Sequence, residues 1–529
     1  MPFTLAISAT SAPACQALVR AALDTDPRVM PVTGPASVTW RAPDERAALL
    51  GFGPPAASVP CSIWADPGRE VIHAKTGITR VDPVYVAELP GAVVVSDRAS
   101  WAAAVAGRLD SPDPALIAAL VNLGFPLGGV TPFRGVRALR GGGQIEVRAG
   151  RLTVLAAAGF AARPEAAAEG ARRTASALID AVTPLAEAAD PVELSLTGGK
   201  DSRLIAAALS AGKVPFRART HGAATHPDVL VARTIAERLG VEHQVTEPSP
   251  PGTKGPAEVL ARLRSAVLVG DGMLSAFENV GGPDPVFAAA PVQVGGHGGE
   301  LLRGGYASHA GNAMRGAERF RRLTTRRLRL LTPAAASVYL AGLAPWAVRF
   351  ARAPMHTLDD FYLANRAGRW SAAARQAYRL RSELVQPFFD DRVVRTARSV
   401  PLRDRVPGDL HRDLLAELCP ELSDLPFAGR GPASADWRRS YGDDVAAFLR
   451  DYVLDHSSAM SGMISMRAAE RVLRPPHTDH ESVWLLATVA TILSRDWLRA
   501  RGLADRIGML SRGRSGSRPA RRRLCPRPG

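Results

Sequence analysis

The chain has 529 residues, 46% hydrophobic and 22% charged, with a formal net charge of +16. That length asks for more than one core, and that composition excludes a fibrous, collagen-like or wholly disordered protein. Seven of the positive charges are arginines between Arg512 and Arg527, in a stretch without an acidic residue, so the rest of the chain carries +9. Residues 511–529 read as a disordered basic tail. Cys15, Cys61, Cys419 and Cys525 lie far apart, with no zinc spacing and no disulfide framework, which fits a reducing compartment. Neither Phe3 to Ile7 nor Leu485 to Leu493 is long enough to span a bilayer, and the N-terminus lacks a basic signal start. The expected location is the cytoplasm, with no membrane span.

In chain order, residues 3 to about 155 read mostly as short strands with turns. Phe3 to Ser8, Ser37 to Arg41 and Ala92 to Ser96 alternate as strands, and Gln144 to Val147 and Arg151 to Val154 form a hairpin across Ala149-Gly150. One helix-like interval, Pro114 to Leu123, interrupts them. Ala156 to Pro164 reads as a linker. A helical run from Glu165 to Ala189 then leads into an apolar strand, Val192 to Leu196, a glycine loop, Thr197 to Ser202, and a helix from Arg203 to Ser210. Val214 to Arg219 reads as the next strand, and His226-Pro227-Asp228 opens a helix that Gly240 stops. Strand, helix, strand, helix predicts a parallel sheet with ligands at the carboxyl ends of its strands. From Ala317 onward the pattern is almost wholly helical.

The glycine pair in Thr197-Gly198-Gly199-Lys200-Asp201-Ser202 lets backbone approach a ligand, and the free N–H groups of the helix start suit an anion, above all a phosphate. The spacing is too short for G-x-x-x-x-G-K-[ST]. It resembles the S-G-G-x-D-S loop of the ATP pyrophosphatases, which split ATP into AMP and pyrophosphate. A second glycine loop, Gly295-Gly296-His297-Gly298-Gly299-Glu300, ends a strand and runs on to Gly304-Gly305-Tyr306. It is similar to the S-G-E-G-S-D-E-L-F-G-G-Y stretch of asparagine synthetases. That register puts Glu300 on the family's magnesium-binding Asp and His297 where β-lactam synthetases have a catalytic tyrosine. A third stretch, Ser382 to Arg392, resembles L-E-V-R-x-P-F-L-D-H-R and places Glu383 on the glutamate that orients the base. Alternatively, Glu383 pairs with Arg379 or Arg381.

The resemblance implies an α/β fold. An N-terminal β-rich domain, a degenerate amidotransferase-like domain of Ntn type over 1–160, precedes a PP-loop ATP pyrophosphatase domain over 161–510 whose parallel sheet is followed by a helical C-terminal part. Thr131 to Leu139 and Gly141-Gly142-Gly143 look like the end of a glutamine amidotransferase domain. Pro2 stands where such domains have their nucleophilic cysteine, so the amine is expected to belong to a substrate instead of being ammonia cut from glutamine.

The expected cofactors are ATP and Mg²⁺. ATP would be held by Leu194, Ser195, Thr197, Gly198, Gly199, Lys200, Asp201, Ser202, Thr220 and Gly296, and the metal by Asp201 and Glu300. His297 would be the base for amine attack and Glu383 its orienter. The family's C-terminal phosphate-binding lysine is missing, since the last lysine is Lys254. In its register stands Arg430, a planar cation able to bind two phosphate oxygens. The loops together look most like the macrolactam synthetases of actinobacterial lasso peptides, which join a peptide's N-terminal amine to an Asp or Glu side chain. The implied partners are a leader-cleaved core peptide, a leader peptidase and a leader-recognition protein. The basic run Arg319, Arg321, Arg322, Arg326, Arg327 and Arg329 is either a solvated face or a surface for such partners. A small-molecule amide ligase of β-lactam or asparagine synthetase type shares every motif. A PP-loop tRNA-modifying enzyme is the reading from another class. Its sulfur-transferring forms need paired cysteines near the loop, and none lies between Cys61 and Cys419, so nucleic acid is not the expected partner.

Overall fold

The computed structural model describes residues 3–24, 37–52, 62–155, 163–248, 252–278, 291–309, 313–380, 382–428, 441, 444–474 and 479–495. Among the described residues the first region contains ten strands: β1 (Phe3–Ala9), β2 (Ser37–Arg41), β3 (Ala47–Phe52), β4 (Ile63–Asp66), β5 (Val71–Lys75), β6 (Tyr85–Leu89), β7 (Ala92–Ser96), β8 (Val136–Ala138), β9 (Gln144–Arg148) and β10 (Arg151–Leu155). They form a six-stranded sheet, β2-β3-β1-β7-β6-β8, and a four-stranded one, β10-β9-β5-β4. Strand alternation separates two cores. Ala6, Val93 and Val95 join Ile72, Ala74, Ile145 and Val147 between the sheets, while Leu5, Ile7 and Val94 face the helices. The β9–β10 hairpin turns through Ala149 and Gly150, both with positive φ (47° and 72°), as a two-residue turn of this twist requires.

The one helix expected here is joined by two others: α1 (Ala12–Leu23) and α2 (Ala99–Val105) accompany α3 (Pro114–Leu123). The start of α2 is capped from far away in sequence. Asp271 accepts from Ala99 N at 2.9 Å and from Ser100 Oγ at 2.8 Å, and it pairs with buried Arg98. No local signal announces such a cap.

Residues 156–162 of the linker, the segment 429–440 with Arg430, and the basic tail 511–529 lie outside the described residues. Beyond the linker come α4 (Ala167–Val182), β11 (Val192–Ser195), α5 (Lys200–Ala211), β12 (Phe216–His221), α6 (Pro227–Leu239), β13 (His243–Thr246), α7 (Pro256–Val269), β14 (Gln293–Gly295) and β15 (Leu384–Val385). The expected run to Ala189 tightens into a short turn at Thr183–Glu187, beginning at Thr183-Pro184. Strands β11 to β15 make one parallel sheet in the order β13-β12-β11-β14-β15. From β11 the chain builds outward to β13, then returns to lay β14 on the other side. The order therefore reverses between β11 and β14, which opens a crevice beyond their carboxyl ends.

The largest apolar cluster joins both regions. Leu5, Trp101 and Leu120 share it with Val267, Phe361 and Leu486. Among the described residues one helix, Pro333–Arg352, is by length and composition apolar enough to cross a membrane. Here it lies along the surface, with Ala335, Tyr339 and Leu343 packed inward. The basic helix Ala313–Thr325 is partly structural: Arg319 stacks on Tyr306 at 5.5 Å and Arg321 pairs with Glu318, while just beyond it Arg327 is buried against Ser482 and Glu481.

Candidate functional site

The loop after β11 is closed by its own hydroxyls. Ser202 Oγ accepts from Thr197 N at 3.0 Å and lies 2.9 Å from Thr197 Oγ1, which accepts from Gly199 N at 3.2 Å. Gly198 N donates to Asp228 Oδ1 at 2.9 Å, from the first turn of α6. Gly199 is the N-cap of α5 and brings no side-chain cap, so the N–H groups of the first turn stay available to an anion. Lys200 sits exposed at that start, its Nζ 5.1 Å from the Phe427 ring. Leu194 is buried in the sheet and offers only backbone, whereas Ser195 and Thr197 are exposed. The Thr220 hydroxyl is already committed to Leu196 O and His243 Nε2, each at 2.8 Å.

The second loop, after β14, lies directly on the first. A Cβ on Gly296 would fall 2.6 Å from Ser202 N, and one on Gly299 would fall 2.3 Å from Asp201 Cγ. Only glycine permits that approach. The contact brings Asp201, Glu300 and His297 into one crevice. Asp201 Oδ1 accepts from His411 Nε2 at 2.8 Å and Oδ2 from Arg303 Nη2 at 3.1 Å. Burial works against its charge, but the hydrogen bond from His411 and the charge of Arg303 outweigh it and hold the carboxyl below its ordinary range. Burial, with the charges of Arg303 and Lys200, holds His411 below the usual imidazole range. It is thus neutral and donates Nε2–H, and among the described residues its buried Nδ1 has no partner. Glu300 Oε2 accepts from Tyr362 OH at 3.1 Å.

His297 packs against Trp370 and Phe389, with ring centroids 5.3 Å and 5.8 Å away. Burial lowers its pKa and Arg366 adds to the effect, against the opposing pull of Glu300 and Asp201, so the imidazole is a free base at neutral pH. Its hydrogen-bond partner is Ser371, Nε2 to Oγ at 2.8 Å, where the sequence predicts Glu383. Glu383 stands at the entry to β15, where its carbonyl accepts from Gln293 N at 2.8 Å and its charge acts on Arg379. That is the amino end of the sheet, and His297 follows the carboxyl end of β14; the structure does not bring the two together.

The segment that leads toward Arg430 is held in place as far as Ala428. Ala428 N donates to Gly198 O at 3.1 Å, and buried Arg203 donates to Leu425 O and Pro426 O, each at 2.7 Å, with Phe427 over its guanidinium. This segment is docked on the loop after β11. Among the described residues no three His, Cys, Asp or Glu side chains cluster as a metal site. Asp201 and Glu300 still fit Mg²⁺, which commonly takes one or two carboxylates beside phosphate and water oxygens. Four residues of the site carried no sequence motif: His411, Ser371, Tyr362 and Arg366. Arg303 had a signal, three places after Glu300 in the glycine loop itself.

A family model described as asparagine synthase matches residues 173–499. No curated protein matches the chain at a significant level.

Proposed function

Because the chain belongs to the asparagine synthase family, we propose that it spends ATP to join a substrate carboxylate to an amine carried by a substrate. In its specific form the amine is a peptide N-terminus and the carboxylate an Asp or Glu side chain of the same peptide, so that a macrolactam closes. The observation that carries this reading is the contact of two glycine loops at the reversal of strand order, which sets Asp201, Glu300 and a free-base His297 around one crevice.

The α5 first turn and Lys200 receive the phosphates. A carboxylate oxygen attacks the α-phosphorus, pyrophosphate departs with the bridging oxygen's electron pair, and an acyl-adenylate remains. Asp201 and Glu300 would hold Mg²⁺, which neutralises charge on the leaving pyrophosphate when bound. The amine then attacks the acyl carbon and AMP leaves. The amine must shed a proton, and His297 is suited to take it: with Nε2–H donated to Ser371 Oγ, the lone pair of Nδ1 is free. Ser371 Oγ can in turn donate to Arg366 O at 3.4 Å, which favours that tautomer. Ammonia from a glutaminase step is not part of this reading. Cys15, in the N-terminal region, is buried in the core, where burial pushes its thiol up to about 11. Cys61 lies outside the described residues. Leader peptidase and leader-recognition proteins would supply the trimmed peptide in the cytoplasm.

The test incubates the protein with ATP, Mg²⁺ and peptides bearing a free N-terminus and an internal Asp or Glu. Loss of one water from the peptide with one AMP released supports the reading. Acetylating the N-terminus should stop ring closure and leave ATP–pyrophosphate exchange intact. AMP formation indifferent to the peptide's carboxylate defeats it.

A further inference from the structure

The helix over Tyr362–Ser371 winds in wide turns and carries, besides Ser371, Arg366. The Arg366 guanidinium lies 3.5 Å from the centre of the Trp370 ring and 5.9 Å from that of Phe125, and it makes no hydrogen bond or ion pair among the described residues. Three arginines close by, half-buried Arg303 and the more deeply buried Arg405 and Arg80, find oxygens. Arg303 has Asp201, Arg405 has Asp359, and Arg80 has the carbonyls of Gly368 and Ala364. The Nε1 donor of Trp370 is likewise buried without an acceptor. Glu300, an acidic group nearby, accepts from Tyr362 through Oε2. Beside His297, then, the Arg366 guanidinium and the Trp370 Nε1–H are donors that no oxygen of the described residues takes, and a bound anion can use them.

We propose that Arg366, laid flat on Trp370 beside His297, receives the substrate carboxylate and makes the site select acids over the corresponding amides. The proposal rests on the ligase reading above. The nucleotide phosphates already have the α5 first turn and Lys200 at the end of β11. Arg366 belongs instead to the helix that carries Ser371, the partner of the base. Stacking on an indole holds the guanidinium plane and leaves its in-plane N–H edge open, the geometry that takes two carboxylate oxygens at once. An amide in that place turns an NH₂ donor toward N–H donors and is refused.

The experiment uses the full chain and phenylglyoxal, with modification of Arg366 followed by peptide mass spectrometry. The probes are N-acetyl-glutamate amide and, as its neutral match, N-acetyl-glutamine amide. Arg366 is expected to react in the free protein, about tenfold more slowly with the acid present and unchanged with the neutral amide. An Arg366 that resists the reagent in the free folded protein has a partner of its own, and the proposal falls. It falls also if both probes protect equally or neither does. In ATP–pyrophosphate exchange, Arg366→Met should raise the KM for the carboxylate at least about tenfold and leave that for ATP unchanged, with Arg366→Lys between. An equal rise for ATP assigns the arginine to the nucleotide and overturns the proposal. Absence of exchange with every acid in the unmodified protein would sink the ligase reading, while the protection experiment still decides Arg366.

Discussion

Gly299→Ala tests the contact between the two loops on which the site depends. The added methyl carbon would stand 2.3 Å from both Cγ and Oδ1 of Asp201, where ordinary contact begins at 3.4 Å, so the carboxylate has to retreat by roughly 1 Å. It has nowhere easy to go. Its two oxygens are tied to His411 at 2.8 Å and Arg303 at 3.1 Å, and His411 is itself buried. Overpacking of this kind costs about 1–3 kcal/mol of stability. A displacement of about 1 Å in a group that positions the reacting phosphates costs on the order of 100-fold in rate. Gly295→Ala is the internal control, since a Cβ there meets nothing within 4 Å. Mg²⁺-dependent ATP–pyrophosphate exchange and urea denaturation should show Gly299→Ala reduced about 100-fold and less stable. Gly295→Ala should stay within about 0.5 kcal/mol of the parent and exchange normally. Undiminished exchange in Gly299→Ala, or equal failure of both variants, would refute the reasoning.

His297→Ala should still form the adenylate but close the amide slowly, because the base acts only after activation. With the pKa of His297 held down by burial and Arg366, the parent's amide-forming rate should stay level above pH ~6.5 and fall only as the folded imidazole protonates below it. The same depression stabilises the fold above pH ~6.5, and this contribution is lost as pH drops through the folded pKa, which an acid denaturation series on parent and variant can measure. A variant that fails at adenylation first speaks against the assignment. Arg430→Ala should slow turnover on the order of 100-fold with partial recovery in Arg430→Lys, if this arginine takes the place of the absent lysine at a charge-developing site. A near-parental rate in Arg430→Ala would remove it from the site.

The parts of the site that the sequence displays are those that depend on local backbone. Thr197 to Ser202 and Gly295 to Glu300 are legible because glycines, a helix start and short carboxylates stand in a fixed order, and the glycines are what let the two loops meet. The strand and helix order around them, and so the parallel sheet, follows from periodicity alone. The partners of those residues are not legible, because they arrive across long separations. His411 reaches Asp201 from 210 residues away and Ser371 reaches His297 from 74, each from a helix whose sequence carries no motif. Glu383 shows the opposite failure. Its spacing from Pro387 fits the family stretch, but the register that pairs Gln293 with Leu384 puts it at the wrong end of the sheet to touch His297. Helix α2 was missed for a similar reason, its cap being Asp271.

The N-terminal region is more than a remnant carried along with the ligase half, because residues in it hold the wall behind His297. Ile78 N donates to Asp391 Oδ1 at 2.7 Å, and Thr79 Oγ1 donates to Phe389 O at 3.4 Å. Arg80 donates to Gly368 O at 3.1 Å and Ala364 O at 2.7 Å, inside the helix that carries Arg366, Trp370 and Ser371. Gly128 N donates to Asn365 Oδ1 at 2.9 Å on the same helix, and Arg375 pairs with Asp82 at 3.0 Å just beyond it. Phe389 and Trp370, the two rings against His297, are thus fixed in part from residues 78–82 and 128. Arg80 has its charge buried with only carbonyls for partners, and burial brings its pKa down to about 9. An ion so placed stabilises little by itself, and removing it strands the carbonyls it serves. A fold that keeps such a residue keeps it for position. With the apolar cluster running unbroken from Leu5 to Leu486, the position being kept is that of the helix that carries Ser371, the partner of His297, and Arg366.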